Sequence, residues 1–574
     1  MRASIILIAS VLIIFLGIWG TSVIYFDQER LKSLVEAHVS AQTGRSLRID
    51  GPVSLRWFPR LMVTAENITL SGPGDYQGPD LLTAEHLELS FRYLPLIRGR
   101  AEGGRILLDQ ARLNVHRDSA GRSSVDGLIR ARRDLESDSP ADAARGQRIR
   151  LSNVSVVISD ADRGRRGEFD VASTELDEFS LDRSMRFQFS GLLGDPELFE
   201  WLEIDGLLNV ASATGETSLS NLDLQGRLPG SGVPVRLLGN LTFQPGPPAT
   251  LNVQPARLVF DGNAHDLQLA YQDGAPPQLS VTLAGQLLDL DVVQSVFTEF
   301  DPGALPLISA GEQPTGPGEM VIDILRGMTL TAELAFGTVR YGSAELGRLE
   351  ARLDSQQGEL QASPLVIELP GGVVEAETSV DFRGEIPQTL TSLRLETSSF
   401  DKSISALGIP ALVDGAGTMS LDLAAAGLRP DTLRLSMVGS GNYEIWDGSL
   451  QGVDISALQA SVAERDWTAA VRAGLAGRSM FRTMSGPLRL DAHAIELTSL
   501  NIVGDGYRIG GEVSVGLVDW GLAGRLDLVG DEIGRLSFRL GGDGQQPLIE
   551  PIIDDEALKL LDAGLTESAG TQAP

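Results

Sequence analysis

A chain of 574 residues is longer than one hydrophobic core usually organises, so it either divides into domains or grows by repetition. Its 77 Asp and Glu against 47 Lys and Arg leave a formal charge of −30, which argues against a nucleic-acid binder and against broad adhesion to anionic headgroups. Cysteine is absent, which removes disulfides, thiolate catalysis and Cys-ligated metals, while 5% aromatics with 64 Gly and 28 Pro suit many short strands better than a large enzyme core.

The amino terminus reads as an uncleaved anchor. Ala3 to Phe26, "ASIILIASVLIIFLGIWGTSVIYF", is 24 residues without a charge, enough for a helix to cross a hydrocarbon layer roughly 30 Å thick. Ile5, Ile6, Leu7, Leu12, Ile13, Ile14, Phe15 and Leu16 supply the apolar body. Trp19, Tyr25 and Phe26 gather at the exit side, as interfacial aromatics do. A cleaved signal would have a shorter run and small residues where Tyr25-Phe26 stand. Arg2 ahead of the run and Asp27 and Glu29 behind it leave the amino terminus in the cytoplasm and export the rest. The segment 1–26 is thus the expected anchor.

Residues 27–44 continue as an amphipathic helix, with Leu31, Leu34, Val35, His38 and Val39 on one face and Gly44 placed to stop it. His38 on that stripe reads as a packed side chain. From residue 45 the period changes to two, and 45–184 is expected to be a first β region. Asp50-Gly51 carries a hairpin signal. "GPVSLRWFPRLMVTAENITL" reads as two strands joined at Phe58-Pro59, and "GRILLDQARLNVHRD" as two more. Residues 131–148 are charged and poor in apolar side chains, a flexible loop. Strands resume with Val154, Val156 and Ile158 alternating with Ser155, Val157 and Ser159.

A middle region of β repeats is expected over 185–395 and a second β region over 396–550. Met419, Leu421 and Leu423 alternate with Ser420 and Asp422. Leu433, Leu435 and Met437 alternate with Arg434 and Ser436, and Leu522, Leu526 and Leu528 face away from Arg525 and Asp527. Such alternation predicts an antiparallel sheet with one apolar and one wet face. Short helices are predicted over 287–299, 400–410 and 453–464, each opening on an Asp cap: Asp291, Asp401 and Asp454. The 110-residue spacing of Asp291 and Asp401 hints at a diverged repeat. A helix and polar tail, 551–574, close the chain.

Catalytic motifs are missing. His38, His86, His116, His265 and His493 lie apart from one another, and no pair has zinc-hydrolase spacing. "DADRGRRGE" from Asp160 begins like a calcium loop, but Gly164 and Arg165 stand at its fifth and sixth positions, so it reads as a hairpin tip. "GDGYRIGG" at 504–511 runs into a strand rather than the helix a phosphate cradle needs. No catalytic residue, metal ligand or cofactor site is assigned, and no enzyme activity is expected.

A long sheet with few helices must deal with its apolar face by closing into a barrel, folding into a sandwich, or curling into a gutter that stays open. In a gutter the apolar face could shelter an acyl chain, which costs about 0.8 kcal/mol per methylene in water. Met419, Leu421, Leu423, Leu433, Leu435 and Met437 are the candidate lining.

The chain resembles the AsmA family of bacterial envelope proteins, the AsmA/TamB/YhdP-like group of bridge-like lipid-transport proteins. The likeness begins with the anchor and continues through "TGRSLRIDGPVSLRWFPRLMVTAENITLSGP", "LELSFRYLPLIRGR", "ILLDQARLNVHRDSAGR" and "IRLSNVSVVISD". It returns at "GAGTMSLDLAAAGLRPDTLRLSMVGSGNYEIWDGSLQGVDISAL" and "FRTMSGPLRLDAHAIELTSLNIVGDGYRIGGEVSVGLVDWGLAGRLDL". The resemblance implies a mainly β protein: a transmembrane helix, then an elongated, curved antiparallel sheet forming a groove. It implies an inner-membrane protein of a Gram-negative cell, single-pass, with the bulk of the chain in the periplasm. Phospholipid acyl chains would be its ligands, and outer-membrane or envelope assembly proteins its partners. A scaffold for outer-membrane proteins that carries no lipid is the alternative, and a tethered hydrolase a third.

Overall fold

The computed structural model describes residues 44–552 apart from 57–60, 75, 77, 92–103, 119–121, 126–147, 161–164, 178–179, 194–198, 229–230, 300–325, 385, 410, 428–429, 453, 458–459, 461–476, 531–533 and 543–546; ahead of these it describes Glu29, Lys32, Ser33, Glu36, Ala37 and Ser40. The anchor 1–26 and the closing segment after Ile552 lie outside the described residues, as does nearly all of 131–148. The chain is mainly β and divides into two compact units, Met1–Phe260 and Asp261–Pro574.

The six described residues between Glu29 and Ser40 are helical. Gly44, with φ +68°, donates its N–H to the Ser40 carbonyl at 2.9 Å, the left-handed cap that ends this helix. The Glu36 carboxylate accepts from the Ile49 N–H at 2.9 Å and ties the helix to the first strand.

The first unit then builds β1 (Leu47–Ile49), β2 (Val53–Arg56), β3 (Leu61–Leu70), β4 (Leu82–Phe91), β5 (Arg105–Arg117), β6 (Arg148–Asp160), β7 (Arg165–Leu176), β8 (Met185–Leu193), β9 (Trp201–Val210), β10 (Thr217–Arg227), β11 (Pro234–Gln244) and β12 (Thr250–Phe260). From β3 onward each strand pairs with the next along the chain. β1 and β2 both pair with β3, so Asp50-Gly51 is a bulge inside one edge and not the hairpin its composition suggests. The Gly51 N–H donates to the Glu66 carbonyl at 3.0 Å, and a Cβ on Gly51 would stand 2.5 Å from that oxygen. Only glycine lets the two backbones approach so closely.

The stretch read as two strands, "RILLDQARLNVHR", is one 13-residue strand, β5. Gln110 at its middle has φ +50°, and Asn67 in β3 and Asn153 in β6 have φ +51° and +53°. These residues interrupt the register at one level, between Ile68↔Ala84↔Ala111↔Val154 on one side and Glu66↔His86↔Asp109↔Ser152 on the other. Such aligned bulges bend a sheet. Beyond it Val154 and Val156 share the clustered face as their alternation predicts, but Val157 is buried at 6% exposure while Ile158 is 46% exposed, contrary to the alternation expected for those two.

The second unit contains β13 (Asn263–Gln272), β14 (Gln278–Asp289), α1 (Leu290–Glu299), β15 (Thr329–Tyr341), β16 (Ala344–Leu346), β17 (Leu349–Gln356), β18 (Glu359–Leu369), β19 (Gly372–Asp381), β20 (Gln388–Thr397), α2 (Phe400–Ser405), β21 (Val413–Ala426), α3 (Pro430–Ser436), β22 (Val438–Gln451), β23 (Arg478–Leu490), β24 (Ala494–Gly504), β25 (Tyr507–Gly516), β26 (Leu522–Gly530), β27 (Gly534–Gly542) and β28 (Pro547–Ile552). Strands again pair with chain neighbours, and short β16 and long β17 both pair with β15. Among the described residues β28 pairs only with β27 and no pairing returns to β13, so this ladder is open and not a closed barrel.

The sheet is mixed, not purely antiparallel. β5 pairs with β6 in parallel, and β14 with β15. Parallel neighbours need a crossover of a dozen or more residues. The first crossover spans the charged segment expected as a loop, and the second includes α1.

Helix starts also differ in detail. At α1, Asp289 accepts from the N–H groups of Asp291 and Val292 at 3.1 and 3.4 Å, while the Asp291 carboxylate accepts from Gly342 N–H at 2.8 Å. At α2 the cap is Ser399, whose side chain accepts from Lys402 N–H. Both caps precede the expected aspartates by two residues. Asp454 does cap, accepting from Ala457 N–H at 2.9 Å. The strand expected through Leu433, Leu435 and Met437 is replaced by α3, which opens on Pro430 with its φ suited to a first helical turn.

A candidate lipid-bearing apolar face

Strand register lines up side chains into rows, because successive residues point to opposite faces. In the first unit Ala65 on β3 faces Leu87, which faces Leu108, Leu151, Thr174, Phe189, Ile204, Leu224, Leu237 and Leu258 on the strands that follow. Thr174 is the only polar member of this row. On the same face Ile49, Ile68, Ala84, Ala111, Val154, Val171, Gly191, Leu202 and Gly226 form a second row.

The second unit repeats the pattern. Leu283 on β14 faces Leu334, then Ala351, Leu365, Ala376, Leu393, Leu421, Gly441, Leu488, Leu497, Val513, Gly524 and Leu540 on successive long strands through β27. No polar side chain interrupts it. At about 4.8 Å per strand it runs for about 60 Å along the sheet.

The opposite face is wet. Arg352 pairs with Asp354 at 3.0 Å and with Glu333 at 3.8 Å, and Arg394 with Glu396 at 2.8 Å. In the first unit Arg236 meets Asp223 at 2.6 Å, and that guanidinium holds the Asp223 carboxyl below its ordinary range. Ion pairs this exposed add little stability. Their role is to keep this side of the sheet in water.

The second unit holds a buried cluster that extends from β15 through β26, with Leu488, Ile502 and Leu528 among its members. Phe336, Val339, Leu349, Leu395, Ile445 and Ile455 are buried there, joined by Leu290 of α1 and by Phe400 and Ile404 of α2. Several row side chains are half-buried, namely Leu283, Leu334, Leu365, Leu393 and Leu421 in the second unit and Leu87, Leu108, Leu151, Phe189 and Ile204 in the first, while Leu488 and Leu540 are buried.

Of the lining residues chosen by sequence, Met419 and Leu421 pack against the cluster of the second unit and Leu423 is half-buried. Leu433 and Met437 are half-buried at α3, and Leu435 is 59% exposed on it. The anchor residues Ile5 to Phe26 lie outside the described residues; among the described residues no helix is long and apolar enough to cross a membrane. Asp160 pairs with Arg165 across the β6–β7 hairpin, and Asp505-Gly506 forms the tight turn between β24 and β25. No group of three His, Asp or Glu side chains is placed for a metal among the described residues.

Sequence reasoning missed the first-unit row, and it missed two buried polar rings. His265 and Tyr443 belong to one row of the second unit, which reads His265, Gly285, Phe336, Leu349, Ile367, Val374, Leu395, Met419, Tyr443, Gly486. Each ring faces a glycine on the next strand. His265 is 4% exposed and Tyr443 7%. Among the described residues His265 Nδ1 and the Tyr443 hydroxyl have no hydrogen-bond partner. Burial lowers the His265 pKa, keeping the ring neutral, and pushes Tyr443 up to about 12.

Comparison with known proteins agrees with the resemblance seen in the sequence. The AsmA family model matches residues 1–230. The chain is 21% identical over 462 residues to Protein AsmA of Escherichia coli (strain K12), covering 75% of this chain and 71% of that protein. No solved structure matches. The likeness to the AsmA family is thus carried by residues 1–230 and extends, through that relative, over three quarters of this chain.

Proposed function

We propose that this protein is held in the inner membrane by Ala3–Phe26 and offers its apolar sheet face to phospholipid acyl chains in the periplasm, supporting outer-membrane biogenesis. The observation that carries the reading is the second-unit row from Leu283 to Leu540, apolar on every strand, with Leu283, Leu334, Leu365, Leu393 and Leu421 half-buried. A sixteen-carbon chain in water faces a penalty of roughly 12 kcal/mol at about 0.8 kcal/mol per methylene. A repeated aliphatic surface offsets most of that without a deep minimum, which suits movement along it. This role needs no covalent step, and we assign the protein no catalytic residue.

The test is a photo-crosslinker placed in cells at Leu108 or Leu421 on the apolar face and at Arg352 on the wet one. Phospholipid adducts at the first two and none at the third are expected. Absence of lipid adducts at every inward position would leave the non-transporting scaffold for outer-membrane proteins.

A further inference from the structure

Tyr443 carries a hydroxyl that the apolar face leaves unused. Its hydroxyl is buried and has no hydrogen-bond partner among the described residues. Its neighbours in register are Met419 on β21 and Gly486 on β23, and neither side chain offers an oxygen. A buried hydroxyl without an acceptor is destabilising, and folded proteins keep few of them. The surroundings limit what could satisfy it. The row containing Tyr443 has no Asp, Glu, Lys or Arg, so the acceptor it suits is an uncharged one.

The hydroxyl lies over a glycine on one side and beside a pliable side chain on the other. A Cβ on Gly486 would lie 3.1 Å from the Tyr443 hydroxyl and 2.8 Å from the Ser499 carbonyl oxygen, so the hydroxyl overhangs a stretch of strand without a side chain. Met419 is half-buried, and its unbranched thioether chain can change rotamer easily. The Leu393–Leu421 pair lies two residues along the same face, an aliphatic bed for a chain beside the donor.

We infer that the Tyr443 hydroxyl donates a hydrogen bond to one carbonyl oxygen of an ester-linked acyl lipid, with Met419 turning aside as the chain settles on the leucines. The inference rests on the reading of this face as lipid-bearing. It marks a fixed point on an otherwise uniform surface, selecting esters over ethers of the same length.

The experiment uses the full chain purified in non-ionic detergent. Dioleoyl phosphatidylglycerol and its di-O-alkyl ether analogue compete against a fluorescent acyl probe, with wild type and Tyr443→Phe compared. The wild type is expected to favour the diester by about 3- to 10-fold, the worth of one ordinary hydrogen bond. Tyr443→Phe is expected to lose that preference, keep the ether affinity, and melt at the same or a higher temperature. A wild type without preference, a preference that survives in the variant, or a lower Tm in the variant overturns the inference. If both lipids compete without an ester preference, the lipid-bearing reading stands and the Tyr443 role falls. If neither lipid competes, both fall.

Discussion

The imidazole of His265 fills the space a side chain on Gly285 would need: the two residues face each other across β13 and β14, and a Cβ built on Gly285 would collide with Nδ1. The ring then meets Phe336 edge to face at 5.6 Å between centroids. Gly285→Ala therefore forces the ring out of its site, with an expected loss of about 1–3 kcal/mol in denaturant unfolding. His265→Ala combined with it should recover part of that loss, because the clash disappears.

The same burial makes the second unit acid-sensitive. His265 has a lowered pKa in the folded chain, so below about pH 6.5 the unfolded chain takes up a proton that the folded one resists. Stability is complete above that value and falls as pH drops through it. Urea midpoints at pH 7.5 and 5.5 should differ more for wild type than for His265→Phe.

Charge on the apolar face should act by position. Leu421→Asp places a carboxylate in the unbroken row and is expected to abolish lipid adducts at a neighbouring crosslinker while the protein still accumulates. Leu435→Asp changes a 59% exposed residue of α3, so its effect on stability should stay within about 0.5 kcal/mol and its adduct pattern should match wild type.

Ser399 has two tasks at α2. It caps the helix, and its hydroxyl donates to Asp414 at 2.8 Å, a bond that lowers the Asp414 pKa. Ser399→Ala should cost about 1 kcal/mol at neutral pH. The stability that Asp414 contributes is present above its unfolded pKa near 3.9 and is lost as pH falls through the folded value. The gap between variant and wild type should therefore narrow on acidification, which unfolding curves at pH 7 and pH 3 would measure.

Alternation made the two-faced sheet legible without coordinates: Met419, Leu421 and Leu423 lie on β21 as their spacing demands. It misled at Leu433, Leu435 and Met437, where period two coincides with a seven-residue helix; Pro430 at the start was the overlooked signal. Asp50-Gly51 has hairpin composition, yet β3 runs past both flanks and leaves the pair no room to reverse the chain. The parallel junctions left no local trace, because strand direction is set by how a crossover returns and not by the residues of the strand. The pairings that put His265 over Gly285 and Tyr443 over Gly486 depend on register, which a single strand does not encode.

Because almost every strand bonds only to its neighbour along the chain, each hairpin is a nearly self-contained increment. Adding or deleting two strands would change the reach of the ladder and leave every turn on its original side. The β5–β6 and β14–β15 junctions break that arithmetic, since two strands running the same way move all later turns of their unit to the other side. Evolution can thus adjust length by duplication in pairs, and can redirect which margin carries helices and loops only by installing a crossover.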